Sequence, residues 1–190
     1  DPIYIKDCLE SIKNQIGHFG IELVWVNDGS TDQMSGMLKE ELRQFNRTTR
    51  FCKVVYMRNE KNKGLSFSLN RAVQSCSNEV IFRMDADDIM FPTRIQKQLE
   101  FMNNNVDCMM CGTNIRMITD QKKMMETTTN HPTIVMLEDF VEHPRNWFMN
   151  HPTLCFRKSA IMSIGNYNDK MSPDWILEDF ELGLKVLKNF

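Results

Sequence analysis

Three carboxylates follow a short apolar run in the segment Val80–Met90, whose sequence is VIFRMDADDIM. The run predicts a strand, which places Asp85, Asp87 and Asp88 at its carboxyl end. Carboxylates this close repel one another, and a folded protein tolerates them when a cation neutralises them or when water solvates them. Their chemistry therefore indicates a divalent metal site. A solvated acidic loop before a helix at Pro92 would give the same local pattern.

Helical and strand-like segments alternate around this acid cluster. Apolar residues recur at helical spacing in some segments and form compact runs in others. The predicted helices are Ile5–Gln15, Met34–Phe45 after a cap at Thr31-Asp32, Leu65–Val73, and one that opens at Pro92-Thr93 and runs through Met102; the predicted strands are Ile21–Val26, Val54–Met57 and Val80–Met84. Strands that are apolar throughout and separated by helices predict an α/β fold, with a mostly parallel sheet covered by helices on both faces.

A second acidic motif is expected on the same edge of this sheet. The strand Ile21–Val26 is followed by Asn27, Asp28 and Gly29, a turn sequence. Ligands of parallel sheets bind at the carboxyl ends of the strands, where both Asp28 and the Asp85 cluster fall. The sequence therefore predicts one rim that carries two acidic motifs.

Composition limits the class of protein. The 190 residues are 42% apolar and 25% charged, which suits one globular domain over residues 1–190. A formal net charge of −2 gives no electrostatic reason to expect nucleic acid as a partner. Neither a basic-then-apolar leader nor an apolar stretch near twenty residues is present, so we expect a water-facing domain without a membrane span.

The cysteines are scattered, and several have apolar neighbours, which is more typical of reduced core residues than of a disulfide framework. We therefore expect a reducing, cytoplasmic compartment. Cys108 and Cys111 form a CxxC, but no second pair stands at zinc-finger spacing, so zinc or redox chemistry is not favoured here. The six cysteines are Cys8, Cys52, Cys76, Cys108, Cys111 and Cys155.

Five motifs in order resemble those of family 2 glycosyltransferases with the GT-A fold. Any one of them alone would be a weak signal, but the set spans Tyr4 to Leu187 at compatible intervals. The motifs are LVWVNDGSTD (Leu23–Asp32), NKGLSFSLNRAV (Asn62–Val73), FRMDADD (Phe82–Asp88), HPTLCFRKSAI (His151–Ile161) and LEDFELGLKVL (Leu177–Leu187).

The resemblance implies a reaction. It implies a nucleotide-sugar donor, typically a UDP-sugar, and a divalent cation, Mn²⁺ or Mg²⁺. It also implies inversion at the anomeric carbon by direct attack of an acceptor hydroxyl, which a glycan, a lipid or a protein would supply.

The resemblance assigns donor contacts to the two acidic motifs. Asp28 would accept a hydrogen bond from the base, and Gly29 with Ser30 would let backbone approach the nucleotide. Asp85 would lie near the ribose hydroxyls, with Ala86 beside it in the nucleotide-sugar site. A plain Asn-Asp-Gly turn would equally explain the first motif.

The motif at Asp85 also supplies the metal ligands that the resemblance implies. Asp87 would bind the metal, and Asp88 would be a further ligand or a supporting acid behind it. Carboxylate oxygens suit Mg²⁺ or Mn²⁺ that bridges a diphosphate.

The loop and helix from Asn62 to Val73 would run past the nucleotide. Lys63 and Arg71 could meet the diphosphate, as could Arg94, although solvated charges on a helix face explain all three equally well. Asn70 matches an asparagine that is common at this place in the family, and it could equally be a buried structural hydrogen-bonding residue.

The late Glu178-Asp179 pair would carry the proton transfer. Direct displacement needs a base for the acceptor's proton, and the resemblance assigns this role to Asp179, with Glu178 orienting or contacting the acceptor. Both acids could instead simply complement the dipole of the helix that begins there. Trp175, as a stacking surface for a sugar ring, and His151 would line the acceptor side; each also has an ordinary structural explanation, as core edge or satisfied histidine.

The chain departs from the family pattern at its start. Members normally begin with a strand of the type apolar-apolar-Pro-x-Tyr-Asn, whereas DPIYIKDCLESIKNQ matches only the segment after that strand. The resemblance therefore implies a fragment whose first strand is missing, with a central slot in the sheet and part of the nucleotide pocket unbuilt.

The polar, threonine-rich segment Met117–His131 is expected to be mobile and near the site.

Two other functions remain open. A haloacid-dehalogenase-type phosphatase also places a DxD motif after a strand, but it would leave Asp28 and the late acids unexplained. A degenerate transferase domain that binds nucleotide without turnover is the other alternative, and the missing strand motivates it.

Overall fold

The computed structural model describes residues 2–49, 52–119, 123–128, 149–170 and 177–190. All the helices and strands predicted from the sequence are present, with ends that differ by a few residues. The helices in these ranges are α1 (Pro2–Lys13), α2 (Asp32–Thr48), α3 (Leu65–Ser75), α4 (Arg94–Asn104), α5 (Lys158–Ser163) and α6 (Glu178–Asn189). The strands are β1 (Ile21–Asn27), β2 (Cys52–Arg58), β3 (Val80–Phe82), β4 (Met110–Cys111), β5 (Arg116–Ile118), β6 (Met124–Thr128) and β7 (Cys155–Arg157).

Strands β1 and β2 are parallel, as predicted. Their register runs from Ile21 opposite Cys52 to Asn27 opposite Arg58, and α2 makes the crossover that a parallel pair requires. The start of α2 is set locally, because the Thr31 side chain accepts a hydrogen bond from the backbone N–H of Met34 at 3.4 Å.

Helices cover both faces of the sheet, which confirms the predicted layering. On one face, Leu23 and Trp25 of β1 pack against a buried cluster that α1, α2 and α4 supply through Leu9, Leu38 and Ile95, among others. The other cluster contains residues of α3, β7, α5 and α6, and Ile81 of β3 packs against it. Its members are Val73, Met110, Leu154, Phe156, Ile161, Tyr167, Leu182 and Val186. Burial on this scale supplies the main force that holds such layers together.

The sheet is mixed rather than parallel throughout. β7 lies between β3 and β4 and is antiparallel to both. This strand was not predicted, because its three residues lie between a 3₁₀ turn and a helix and show too short a pattern to recognise. The Arg94 guanidinium joins it to β3 by donating to the backbone carbonyls of Arg83 at 2.8 Å and Leu154 at 3.4 Å.

A slot separates β1 from β3. β1 pairs with β2 and β3 pairs with β7, and the described ranges contain no strand between β1 and β3. Their facing edges border a cavity of about 660 Å³. Its lining is mostly apolar and includes Cys8, Phe19, Val24, Leu69 and Ile81. The sequence comparison predicted a central slot in the sheet, on the expectation that the family's first strand is missing.

The polar segment after β4 begins as a hairpin. β5 and β6 pair antiparallel, with Arg116 opposite Thr128, so most of the described part of Met117–His131 is strand. The mobility predicted for this segment stays a prediction. Residues 129–148 lie outside the described ranges. None of the helices in the described ranges is both long and apolar enough to cross a bilayer.

Candidate active site

The amino ends of three strands meet at one edge of the sheet. The Glu22 carboxylate, near the start of β1, bonds Lys53 Nζ at 2.8 Å near the start of β2. It also accepts hydrogen bonds from the backbone N–H and hydroxyl of Ser77, shortly before β3, at 2.6 and 2.8 Å. The carboxyl ends of β1, β2 and β3 therefore lie toward the opposite edge, and the loops that carry Asp28 and Asp85 share it as predicted.

Asp28 shapes the loop after β2. Its Oδ1 accepts hydrogen bonds from Asn59 Nδ2 at 2.7 Å and from the backbone N–H of Lys63 at 2.8 Å. Its Oδ2 accepts one from the backbone N–H of Gly64 at 2.9 Å. Three charge-assisted bonds leave this carboxylate little remaining capacity, and they hold residues 59–64 against the end of β1.

Gly29 is needed for close packing within the protein. Its φ is +78°, and a Cβ built there would lie 2.5 Å from the backbone of Lys61 and Asn62. An L side chain would therefore be strained and would also clash. The next residue, Ser30, donates its backbone N–H to Asn27 Oδ1 at 2.9 Å. The predicted approach of nucleotide to Gly29 and Ser30 stays a prediction, since here the loop's own backbone uses the space beside Gly29.

The polar residues of the loop and of α3 differ in how they are used. Asn70 is joined to the backbone of Tyr167 by two hydrogen bonds of 2.9 Å, one to its carbonyl and one from its N–H. Arg71 donates to the Arg58 carbonyl at 3.0 Å and to Asn59 Oδ1 at 2.6 Å. Lys63 is exposed, and its Nζ lies 5.9 Å from the Phe67 ring centroid. Of the three predicted donor contacts in this segment, Lys63 has the side chain that could most readily meet a diphosphate.

Asp85 and Arg83 form a bidentate ion pair. The two guanidinium Nη atoms each lie 2.6 Å from a different carboxylate oxygen of Asp85. The Arg83 side chain is only 5% exposed, whereas that of Asp85 is 39% exposed, so the pair points a neutralised acid toward the rim. The Nε of Arg83 is buried and has no hydrogen-bond partner among the described residues.

Among the described residues, Asp87 and Asp88 have no ion pair of the kind that neutralises Asp85. Asp87 is exposed and Asp88 is half-buried, and in the described part of the chain neither side chain has a recorded hydrogen bond or ion pair. Burial raises the pKa of Asp88, and the charges of Asp85 and Asp87 raise it further, against a smaller opposing effect of Arg83 and Arg94. This corner of the rim therefore carries unneutralised negative charge.

Asp87 and Asp88 could supply two of the oxygen ligands of a divalent cation. No group of three or more His, Cys, Asp or Glu side chains forms a complete metal cage within the described ranges. Mg²⁺ characteristically takes one or two carboxylates from a protein and completes its shell with phosphate oxygens and water. The hard oxygen donors of Asp87 and Asp88 match that pattern.

Arg94, a possible diphosphate contact by sequence, is half-buried. In addition to the two backbone carbonyls that it braces, its Nε donates to Gln98 Oε1 at 2.9 Å. Burial lowers the pKa of Arg94 to about 10. Its hydrogen bonds mark it as a structural brace of the β3–β7 junction.

The late acids begin α6. Glu178 is buried, at 8% exposed, and its Oε1 lies 3.5 Å from His151 Nδ1. Asp179 is half-buried, and its Oδ1 accepts the backbone N–H of Phe180 at 2.8 Å. Trp175, the predicted stacking surface, lies outside the described residues.

Tyr167 contacts His151 and lines the cavity that Asp85 also borders. Burial raises its pKa, the charge of Arg83 opposes this, and the negative charges of Asp179, Glu178 and Asp85 raise it further. Its hydroxyl lies 3.2 Å from His151 Nε2. The structure therefore brings the end of β3, the start of α6 and His151 around one buried phenol.

Sequence reasoning missed both Arg83 and Tyr167. Arg83 had a usable signal, because an arginine inside an apolar strand needs a partner and Asp85, two residues on, points to the same side. Tyr167 had none, since its place depends on a turn with φ of +84° at Gly165 and +57° at Asn166 and on the distant Asn70.

Comparison with known proteins identifies the family. The family model described as "Glycosyl transferase family 2" matches residues 2–165. The chain belongs to glycosyl transferase family 2. The membership expected from the five motifs is thus confirmed.

Curated relatives of this chain are named as glycosyltransferases. The O-antigen biosynthesis glycosyltransferase WbnJ of Escherichia coli is 32% identical over 187 residues, 97% of this chain and 66% of WbnJ. The amylovoran biosynthesis glycosyltransferase AmsE of Erwinia amylovora is 29% identical over 98% of this chain and 65% of its own length. An Escherichia coli relative named UDP-Gal:alpha-D-GlcNAc-diphosphoundecaprenol beta-1,3-galactosyltransferase is 26% identical over 99% of this chain and 64% of its own. The family 2 chain thus spans about two thirds of the length of these relatives.

Solved structures confirm the GT-A fold. The mannosyltransferase PcManGT from Pyrobaculum calidifontis, solved in complex with GDP-Man and Mn²⁺, matches with a TM-score of 0.66 at 14% identity. The match covers 98% of this chain and 48% of PcManGT. The S. aureus TarS 1-349 structure matches with a TM-score of 0.65 at 20% identity, over 98% of this chain and 52% of TarS 1-349.

Proposed function

We propose that residues 1–190 form the catalytic domain of an inverting glycosyltransferase that moves a sugar from a UDP-sugar to an acceptor hydroxyl, with a divalent cation. The observation that carries the proposal is that Tyr167 joins the two acidic regions: it lines the same cavity as Asp85, and its hydroxyl contacts His151, which also faces Glu178. A donor held by the first group and an acceptor held by the second would then share one site.

The donor would lie along the rim between β1 and β3. Asp28 fixes the loop that presents Lys63, whose ammonium can reach a diphosphate, and the exposed Ala86 with Asp85 would border the ribose and sugar. A UDP-sugar is favoured because a relative that aligns with 99% of this chain carries UDP-Gal in its name. The GDP-Man in the PcManGT complex makes GDP-sugars the alternative for a donor screen.

Asp87 and Asp88 would hold the divalent cation. Mn²⁺ is present in the related PcManGT structure, and the raised pKa of Asp88 indicates negative charge that a cation would relieve. When bound, such a cation neutralises charge that builds up on the departing diphosphate.

Asp179 would act as the general base. As the acceptor oxygen forms its bond to the anomeric carbon, the bond from that carbon to the diphosphate oxygen breaks on the opposite face, and the hydroxyl proton passes to the Asp179 carboxylate. The bond from the Phe180 N–H to Oδ1 fixes the orientation of this carboxylate and leaves Oδ2 to take the proton. Glu178, beside it, would orient the acceptor.

The thiols favour a reducing compartment for this domain. Cys8, Cys76, Cys108, Cys111 and Cys155 are all free among the described residues. Burial raises the pKa of Cys8 to about 12, with further increases from the nearby acid loop. Such a thiol is unreactive and behaves as a small apolar core residue.

A donor screen tests the proposal. The full chain is incubated with UDP- and GDP-sugars and Mn²⁺, together with a panel of p-nitrophenyl glycosides as acceptors. We expect release of nucleoside diphosphate, and a product whose anomeric configuration, by NMR, is opposite to that of the donor.

The same assay separates the alternatives. Release of phosphate from p-nitrophenyl phosphate, without nucleoside diphosphate release from any donor, would favour the phosphatase. Metal-dependent UDP binding by calorimetry without any hydrolysis or transfer would favour a binding domain without turnover.

A further inference from the structure

His151 lies between two buried partners that the motif comparison did not connect. It begins the 3₁₀ turn His151–Thr153, with Nε2 3.2 Å from the Tyr167 hydroxyl and Nδ1 3.5 Å from Glu178 Oε1. The imidazole and phenol rings have centroids 5.7 Å apart. One small ring thus joins the start of α6 to the segment after α5.

The partners determine which ring nitrogen carries the proton. Nδ1 lies 3.5 Å from Glu178 Oε1, which is longer than a formed hydrogen bond. An ionised carboxylate only accepts hydrogen bonds, so this contact favours hydrogen on Nδ1 over a bare lone pair. Burial and the nearby Arg83 charge lower the pKa of His151 to about 3, which keeps the ring neutral near pH 7. Nε2 is then an acceptor, and the Tyr167 hydroxyl donates to it.

Tyr167 is a firm support for this ring. Its N–H and carbonyl are both bonded to the side chain of Asn70 on α3 at 2.9 Å, and its side chain is fully buried. The phenol therefore has little freedom to move, and the proton direction that it imposes on His151 is fixed by the fold.

The Glu178 carboxylate can accept more hydrogen bonds than the described residues donate to it. Within the described ranges it has one polar contact, the one to His151, although the residue is only 8% exposed. A carboxylate with a single long protein contact keeps acceptor capacity that water fills in the free protein. Hydroxyl groups of a bound acceptor would replace this water as donors, and hydrogen bonds that are long in a free site tighten when a ligand enters.

We propose that His151 is a positioning residue that donates its Nδ1 proton to Glu178, is itself held at Nε2 by the Tyr167 hydroxyl, and so aims Glu178 at the acceptor hydroxyls. This inference rests on the proposed transferase function for its consequence, but not for its geometry. The sequence predicted that His151 lines the acceptor site. Under this proposal His151 instead supports Glu178 from behind that site.

The protonation pattern can be measured without activity. ¹⁵N NMR of imidazole-labelled full chain at pH 7, with the His151 signal assigned by its loss in His151→Gln, is expected to show a protonated Nδ1 and an unprotonated Nε2. An Nε2–H tautomer or an imidazolium ring would overturn the proposal. If the wild type transfers sugar to no acceptor, the proposed function fails, while this experiment still decides the tautomer.

Two isosteric variants separate the two nitrogens in activity. The amide nitrogen of His151→Asn can take the place of Nδ1, whereas that of His151→Gln takes the place of Nε2 and leaves Glu178 without its donor. The acceptor is the best p-nitrophenyl glycoside from the screen. In His151→Gln we expect its KM to rise about fivefold to tenfold, because one hydrogen bond is lost. In His151→Asn the KM should rise at most about twofold. UDP affinity by calorimetry should stay within about twofold in both.

A hydroxyl deletion tests the second link. Tyr167→Phe should raise the same KM about threefold and mix the His151 tautomers. Ser163→Ala, which removes a hydroxyl bonded to the Ala160 carbonyl at 2.8 Å on α5, is the control for general loosening. Equal losses in the Asn and Gln variants, a fall in UDP affinity, or an unchanged tautomer in Tyr167→Phe would each overturn the proposal.

Discussion

The acids at the ends of β1 and β3 occupy the same rim but are held in opposite ways. Asp28 accepts three hydrogen bonds of 2.7–2.9 Å from the loop that it shapes. Asp87 is exposed, and the pKa of Asp88 is raised by burial and by its acidic neighbours. Asp85 stands between these extremes, since Arg83 neutralises it while it remains partly exposed.

This difference shows that position on the rim does not decide what an acid does. A carboxylate whose lone pairs are already used by protein donors contributes to stability and to the shape of a loop. A carboxylate that the protein leaves without donors weakens the fold slightly and remains available to a cation or a substrate. The late acids of α6 lie between the two kinds, because each has one protein contact.

The largest effect is expected from Asp179→Asn. If Asp179 takes the acceptor's proton, transfer should fall by roughly 10²–10⁴-fold, while UDP affinity in Mn²⁺ is unchanged. Steady-state transfer rates and calorimetry measure the two. Asp169→Asn, an exposed acid of the same half of the chain, is the control. Transfer at the wild-type rate would place the base elsewhere.

Asp87→Ala should affect donor binding at the β3 end. We expect UDP affinity in Mn²⁺ to fall by more than about tenfold, the scale on which damage to a metal site is felt, to the value measured in a chelator. Thermal stability without metal should not fall, because this side chain has no hydrogen-bond or ion-pair partner among the described residues. Asp107→Ala, at an exposed acid, is the control. Retained affinity in Mn²⁺ would refute Asp87 as a ligand.

Asp28→Asn should destabilise the β1 end. The amide can still accept bonds at one end, but at the other its N–H groups would face the N–H of Gly64, so a charge-assisted bond is lost. We expect the free energy of unfolding in urea to fall by roughly 1–2 kcal/mol. A fall no larger than that of Asp107→Asn would mean that the loop does not depend on the carboxylate.

Asp88→Asn should have a small effect of the opposite sign. Because the folded pKa of Asp88 is raised, its ionised form weakens the fold once the pH exceeds that pKa, and the penalty is absent below the unfolded pKa of about 3.9. Without metal at pH 7 we expect a gain of about 0.5 kcal/mol or less, since solvent screens a half-exposed charge. The gain should vanish in urea titrations at pH 3, and a loss at pH 7 would contradict the contrast with Asp28.

Prediction from sequence succeeded where the signal is local. Helix α2 begins where Thr31 predicts a cap, and the acids follow strands because apolar runs end there. It failed for β7, whose three residues become a strand only because β3 and β4 lie on either side of them. It was also incomplete at Arg94, whose exposure and partners cannot be known until β3 and β7 are in place.

By itself, the sequence determined the α/β alternation, the family and the arrival of acids at the carboxyl ends of strands, because these depend on neighbours within a few residues. Only the tertiary structure decided which acids are already satisfied. Asp28 meets Gly64, Asn70 meets Tyr167 and His151 meets Glu178. Each of these contacts joins segments far apart in the chain, and the packing of helices on both faces of the sheet is what brings them within hydrogen-bonding reach.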